Sequence, residues 1–333
     1  MFGTAPEFTT RRSLLGLAFT SAVAAAVAPC TAWAQAYPNK PIKVIVPFAP
    51  GSATDTVGRM FGQKMAEILG QPVVVDNKAG AIGTIGADFV AKSAPDGYTL
   101  LVGTNSTNAA VRSISKIVPY DPAADFTPIS FLGVLPQVLI VNNDLPVKNM
   151  QEFLAYARAN PGKLNYSWTS TVTRVATEML ASGAKVSFYN VPYKTGAAAI
   201  TDVISGQVHF TIVDTIVALP QIAGGKVRPL AVTSPNRITQ LPNVPTVAES
   251  ANLPGYELMG IFAAFGPANL PPDVLIKLNA AVQKAGADPE LRARLAATGL
   301  DAQTTTSEQL RRRFALETVK WTKVSQEAKI EPQ

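Results

Sequence analysis

The residues best suited to chemistry by type and spacing lie in Val46-Pro47-Phe48-Ala49-Pro50-Gly51-Ser52-Ala53-Thr54-Asp55. A strand-like apolar run, 42–46, precedes this stretch and a helix-like pattern, 54–69, follows it. The start of a helix offers N–H groups without intrahelical partners and a partial positive charge, which suit a carboxylate or a phosphate. Gly51 lets the backbone approach closely, while Ser52 and Thr54 add hydroxyl donors. Asp55 reads two ways, as a first-turn carboxylate complementing the helix or as a ligand contact. The stretch looks built to grip an anion with backbone, not to react with one.

Reactive groups are scarce elsewhere. The chain has one histidine and one cysteine. His209 falls in the strand-like segment 208–213, where a structural role outweighs a catalytic one. Cys30 lies inside the expected leader described below, so the mature chain would have no thiol. A metal site or Ser–His–Asp triad would therefore rest on His209 alone, and no G-x-S-x-G elbow occurs. Gly80, Gly83 and Gly86 follow a strand and open a helix, but G-x-x-G-x-x-G is not the dinucleotide spacing. No catalytic residue, metal or cofactor is expected.

The bulk numbers fit this reading. With 333 residues, 47% hydrophobic and 16% charged, the chain is globular and large enough for two domains. The formal net charge of +6 is spread along the length. The densest run, Arg311-Arg312-Arg313, lacks interleaved aromatics and reads as a solvated helix face, so nucleic acid is not an expected partner. Residues 1–36 follow a separate logic. Thr10-Arg11-Arg12-Ser13-Leu14-Leu15 is a twin-arginine region, 14–27 is a modest apolar stretch, and Ala32-Trp33-Ala34 or Ala34-Gln35-Ala36 offers a cleavage site. The stretch is too short to span a bilayer. A cleaved export signal and a soluble mature protein are expected.

Positioning these groups requires α/β architecture. Strand-like segments at 42–46, 73–75 and 100–102 alternate with helix-like ones at 54–69 and 85–93. After the strand-like 136–141 the rhythm restarts, with helices at 150–160, 174–181 and 197–205 and strands at 164–167, 188–191 and 208–213. An apolar segment, 260–266, leads to helices at 273–285, 289–297 and 308–327. Two doubly wound lobes joined by crossing strands follow, the second inserted into the first. Ligands in such sheets sit outside the carboxyl ends of the strands. Those ends carry 48–54, 104–108, 167–173, 194–196 and 214–215, rich in Ser, Thr, Asn, Gly and Ala.

Several ordered motifs carry a family resemblance. Tyr37-Pro38-x-Lys40-Pro41-Ile42, Val46-Pro47-Phe48-x-Pro50-Gly51-x-x-Thr54-Asp55 and Gly70-Gln71-Pro72-Val73-Val74-Val75 resemble the Bug-type substrate-binding proteins of tripartite tricarboxylate transporters. Ala94-Pro95-Asp96-Gly97-Tyr98-Thr99-Leu100, Pro192-Tyr193-Lys194, Leu230-Ala231-Val232-Thr233-Ser234 and Pro242-x-Val244-Pro245-Thr246-Val247 extend the likeness to most of the chain. The resemblance implies a type II periplasmic binding protein of Venus-flytrap form, a monomer that is not an enzyme. Lobe 1 would comprise 37–138 and 259–333, and lobe 2 would comprise 139–258. It further implies capture of a carboxylate between the lobes and delivery to membrane permease subunits.

By the same resemblance, first-lobe loops would grip one carboxylate through Phe48, Ala49, Ser52, Ala53, Thr54 and Asp55, with Thr104, Asn105 and Ser106. Second-lobe loops would select the rest of the solute through Ser167, Trp168, Thr169, Arg174, Lys194, Thr195, Gly196, Asp214 and Thr215. The chain departs from the family after Tyr166, where the loop is short and Arg174 stands near a usual histidine. Ile261 stands where many members carry tryptophan. These departures suggest a bidentate Arg174 contact to a distal carboxylate, with Trp168 or Phe48 packing on an apolar or aromatic body. The competing reading makes Arg174 a solvated helix-start residue and Trp168 part of the core. An aromatic or dicarboxylic ligand is the leading expectation. The alternative function is a sensing module that signals to a membrane partner without transport.

Overall fold

In a computed structural model, which describes residues 1–3, 37–328, 330 and 332, two α/β halves are threaded on one ten-stranded sheet. The expected leader lies, beyond its first three residues, outside the described residues. The first half opens with β1 (Ile42–Val46), the helix Ala53–Leu69, β2 (Val73–Asn77), the helix Thr84–Ala91 and β3 (Thr99–Thr104). β1 lies between β2 and β3 and is parallel to both, with Val44 opposite Val75 and Leu100. β4 (Phe126–Val141) follows, sixteen residues long and buried throughout.

The second half repeats the rhythm. It contains the helix Met150–Ala159, β5 (Asn165–Trp168), the helix Thr171–Ala184, β6 (Tyr189–Pro192) and the helix Gly196–Ile204. β7 (Phe210–Asp214), the helix Thr215–Ala223 and β8 (Arg228–Val232) complete it. β9 (Met259–Pro267) brings the chain back to the first sheet, where β10 (Asp301–Ala302) pairs with β4. The helices Pro272–Ala287, Pro289–Ala297 and Ser307–Glu327 belong to this return.

Strand order exposes an internal repetition. The first sheet runs β2-β1-β3-β9-β4 and the second runs β6-β5-β7-β4-β8. In each, an antiparallel strand is inserted between the third parallel strand and the fourth. β4 is the fourth strand of the first sheet up to Pro136 and the inserted strand of the second from Gln137. One strand thus serves both sheets and forms the crossing.

Sequence pattern reached only 136–141 of β4, because Pro128, Gly133 and Pro136 interrupt the apolar run. Register shifts between Pro128 and Ser130, and between Phe131 and Gly133, absorb the interruptions as bulges. The helix Thr215–Ala223 was not anticipated either, since Pro220 lies inside it. Each half has its own aromatic nucleus. Phe153, Tyr166, Phe188 and Phe210 meet at centroid distances of 4.7–6.4 Å in the second half. Phe126, Phe265 and Phe314 do so in the first, with Tyr120 edge-on to Phe126 at 5.5 Å. Burying each such ring contributes roughly 1.5–3 kcal/mol, enough to hold the sheet ends at fixed positions.

Candidate ligand-binding site

The carboxyl ends of β1, β3, β5, β6 and β7 converge on one cavity. Its lining takes Phe48, Ser52, Ala53 and Thr54 from beyond β1, and Thr104, Asn105 and Ser106 from the end of β3. Thr169, Ser170 and Val172 come from beyond β5, Lys194, Thr195 and Gly196 from beyond β6, Asp214 from the end of β7 and Val217 from the helix after it. Gly260, Ile261 and Phe262 of β9 complete it. The volume is about 50 Å³, far below the roughly 300–1,000 Å³ of sites for drug-sized ligands. The halves therefore close on space for a few small groups.

Each of these strand ends runs into a helical turn. The N-caps are Ser52, Thr104, Ser170, Thr195 and Asp214, the second opening a π-helical turn over Asn105–Ala109. The first amides of each turn have no partner within it and face positive. Converging from two halves, they put a set of unpartnered backbone donors at one place. Thr104 Oγ1 is buried and without a hydrogen-bond partner in a residue that lines the cavity, which leaves a hydroxyl to offer.

The loop after β1 is held by side chains behind it. Asp55 is 5% exposed and does not line the cavity. Its carboxylate accepts from Gly51 N at 3.0 Å, from Arg59 Nε at 3.1 Å and from Asn77 Nδ2 at 2.9 Å. Asn77 Nδ2 also donates to the Phe48 carbonyl at 3.0 Å. Burial alone would raise the Asp55 carboxyl, but the bonds from Arg59, Gly51 and Asn77 outweigh it and hold it below the ordinary value. Gly51 has φ +78°, which a side chain would strain. Of the two readings left open for Asp55, the geometry is that of a residue positioning the loop. Asn105 is fixed similarly, its Oδ1 accepting from Ile261 N at 2.8 Å.

The second half presents its loops with less bracing. The turn after β5 is two residues, Thr169 and Ser170, because the helix begins at Thr171 and not at 174. Ser170 Oγ accepts from Thr173 N at 3.4 Å, while Ser170 N donates to Thr173 Oγ1 at 3.1 Å. Thr195 Oγ1 accepts from Ala198 N at 3.2 Å. Lys194 is exposed, whereas burial pushes the Asp214 carboxyl up from its ordinary value. Gln137 Nε2 donates to Asp214 Oδ1 at 3.0 Å.

Six expected contacts are not among the lining residues: Ala49, Asp55, Ser167, Trp168, Arg174 and Thr215. Trp168 shares a face of β5 with Tyr166 by strand alternation, and both lie in the core. Arg174, carried beyond the turn by the earlier helix start, lies with its guanidinium 5.4 Å from the Trp168 ring centroid. Ser167 is fully buried, and its carbonyl accepts from Thr211 Oγ1 at 2.9 Å. Ala49 serves its own turn, its carbonyl accepting from Ser52 N at 3.2 Å. Thr215 Oγ1 instead donates to the Thr298 carbonyl at 3.0 Å, tying the halves together. Val217, Gly260 and Phe262 were missed, while Ser170 and Val172 fall inside the expected stretch 167–173 without having been singled out as contacts. An Asp-Thr cap before an apolar run could have signalled Val217, and the neighbourhood of Ile261 could have signalled its flanking residues.

His209 stands just before β7, at the end away from the cavity. Its Nδ1 accepts from Asn165 N at 3.2 Å, and burial lowers its pKa. Among the described residues, no three of His, Cys, Asp and Glu cluster to hold a metal. No helix among them is long and apolar enough to cross a membrane.

A larger cavity of about 690 Å³ lies near the crossing, lined among others by Arg237, Arg292, Arg313, Lys320, Glu257 and Asp301. Size alone does not make it the better anion site. Arg237 pairs with Glu249 at 3.1 Å, Lys320 with Glu257 at 3.9 Å, and Arg313 lies 3.8 Å from the Phe131 ring centroid. Ala296 and Gly299, at and just past the negative end of the helix Pro289–Ala297, also line it.

Residues 57–330 match the model of the tripartite tricarboxylate transporter family receptor. BugT of Bordetella pertussis is 35% identical over 311 residues, covering 92% of this chain and 94% of that protein. Rpa4515 of R. palustris, solved with adipate, superposes with a TM-score of 0.86 at 32% identity, over 89% of this chain and 100% of that one. MatC from Rhodopseudomonas palustris, with bound malate, gives 0.80 at 32% identity over 87% and 100%.

Proposed function

The chain belongs to the tripartite tricarboxylate transporter receptor family, and on that premise we propose that it captures a small carboxylate between its lobes and hands it, unaltered, to membrane permease subunits. The fold is the two-lobed type II form of periplasmic solute-binding proteins. In this reading the lobes are 37–138 with 259–333, and 139–258. The protein acts as an exported monomer in the periplasm.

The observation that carries the proposal is the convergence of helix starts from both lobes on one cavity. Amides of Ala53 and Thr54 with Thr104 Oγ1 hold one carboxylate. Thr169, Lys194, Thr195 and Asp214 meet the remainder of the solute, and Phe48 and Ile261 pack on its carbon skeleton. The lining contains no histidine or cysteine to act on the bound acid. Because the closed cavity is small, a longer acid enters through parting of the lobes about β4 and β9. Adipate in Rpa4515 and malate in MatC support the choice of carboxylates over other anions.

A thermal-shift screen over aliphatic, hydroxylated, aromatic and amino carboxylates tests this. A ligand at a hundred times its Kd stabilises the folded state by about 2.7 kcal/mol, a readily measured rise in Tm. Failure of every acid to shift Tm would remove the proposal.

A further inference from the structure

Asp214 lies where the ligand cavity meets the crossing strand, and the bonds around it fix which of its oxygens is free. Gln137 is fully buried at the point where β4 changes sheets. Its Nε2 donates to the Leu135 carbonyl at 3.1 Å and to Asp214 Oδ1 at 3.0 Å. Its Oε1 accepts from Thr233 Oγ1 at 3.2 Å. A backbone carbonyl can only accept, so Leu135 sets the orientation of the amide independently of the carboxyl. Oδ1 must then accept, and Oδ2 is the oxygen left to carry a proton. Asp214 keeps part of its surface accessible and lines the cavity.

No cation pairs with Asp214 among the described residues. β4 faces it with Gln137, and β9 faces it with Gly260, where an added Cβ would come within 3.7 Å of Oδ1. Lys194, exposed beyond β6, is the other charged residue of the lining. Asp55 of the first lobe is spent on Arg59, Asn77 and Gly51. His209 lies beyond the opposite end of β7. The converging helix starts favour one negative charge, which Asp214 or a ligand can supply. Two carboxylates in so small a cavity repel, and one of them answers by taking up a proton.

We propose that the distal carboxylate of a dicarboxylic ligand, the one that reaches the second-lobe wall, is received by a protonated Asp214, whose Oδ2–H donates to it, so that binding takes up one proton. The inference rests on the carboxylate reading above. The proton comes from solvent, and no covalent bond of the ligand changes.

Calorimetric titration with adipate, malate and benzoate between about pH 5.5 and 8.5, in buffer pairs of unlike ionisation heat, tests it. Net uptake approaching one proton is expected for adipate and malate and none for benzoate, with the affinity of the two diacids falling by up to about tenfold per pH unit. Asp214→Asn replaces the Oδ2–H with a permanent N–H donor. It is expected to bind the diacids with a flat pH profile and more tightly than the parent at the alkaline end. Should the variant misfold, the parent's proton count decides alone. Binding of the diacids without proton uptake, or an Asn variant that folds but binds no acid, overturns the inference and leaves the carboxylate reading standing. No heat with any acid at any pH removes both.

Discussion

The two walls of the cavity are made differently. On the first-lobe side, the turn that presents the amides of Ala53 and Thr54 is braced from behind by Asp55, Arg59 and Asn77, and neither of the two charged side chains reaches the ligand space. On the second-lobe side, the turns are short and held by bonds within themselves, a reciprocal Ser170–Thr173 box and a Thr195 cap, while Lys194 and Asp214 face the cavity directly. A braced, uncharged wall suits a feature common to all ligands, the carboxylate. A lightly braced wall bearing one acid and one base suits the part that varies. Under the proposed function, discrimination between acids belongs to the second-lobe side.

The largest expected effect comes from breaking the brace. Asp55→Ala removes the acceptor for three donors and should cost roughly 2–3 kcal/mol of stability, read by urea denaturation. Every acid in the panel should lose affinity together. Selective loss for one acid would erase the contrast between the walls. The same carboxylate sets an acid limit, because its folded pKa lies below the ordinary 3.8. Its contribution is complete above that ordinary value and is lost as pH falls through the lower folded one. Asp55→Asn should flatten the stability profile in that acid range.

Next in size is the tie between the lobes. Gly299 has φ +88°, and an added Cβ would lie 2.6 Å from Thr215 Oγ1. Gly299→Ala should therefore destabilise by about 1–3 kcal/mol, and pairing it with Thr215→Ala should recover only the steric part. A smaller loss, about 1 kcal/mol, is expected for Thr195→Ala, together with a changed ranking of acids in the thermal-shift screen. The smallest effect is expected at Arg174, which lies over Trp168 outside the lining. Arg174→Ala should leave the preference between mono- and dicarboxylates unchanged, and a selective loss of dicarboxylates would return it to the site.

Legibility in the sequence followed how local the causes were. Gly51, Ser52 and the apolar spacing after them announce a strand, a turn and a capped helix within a dozen residues. The placement of Phe48, Ser52 and Thr54 was readable from that alone. Trp168 depended on which face of a four-residue strand the ring takes, which tertiary packing decides. Arg174 depended on a helix boundary set by the Ser170–Thr173 box, three residues earlier than the apolar pattern suggested. Thr215 and Gln137 derive their roles from Thr298 and Asp214, partners 83 and 77 residues away, and no local pattern encodes such pairings. β4 was half hidden because its bulges accommodate prolines that ordinarily end a strand.

A crystal structure of the protein grown with saturating adipate is the most direct trial of backbone amides as the anion holders. One carboxylate should lie within hydrogen-bonding distance of the Ala53 and Thr54 amides and of Thr104 Oγ1, with its carbon chain reaching toward Asp214. Adipate seated among Arg237, Arg292 and Arg313 instead, with nothing at the strand ends, would contradict the account.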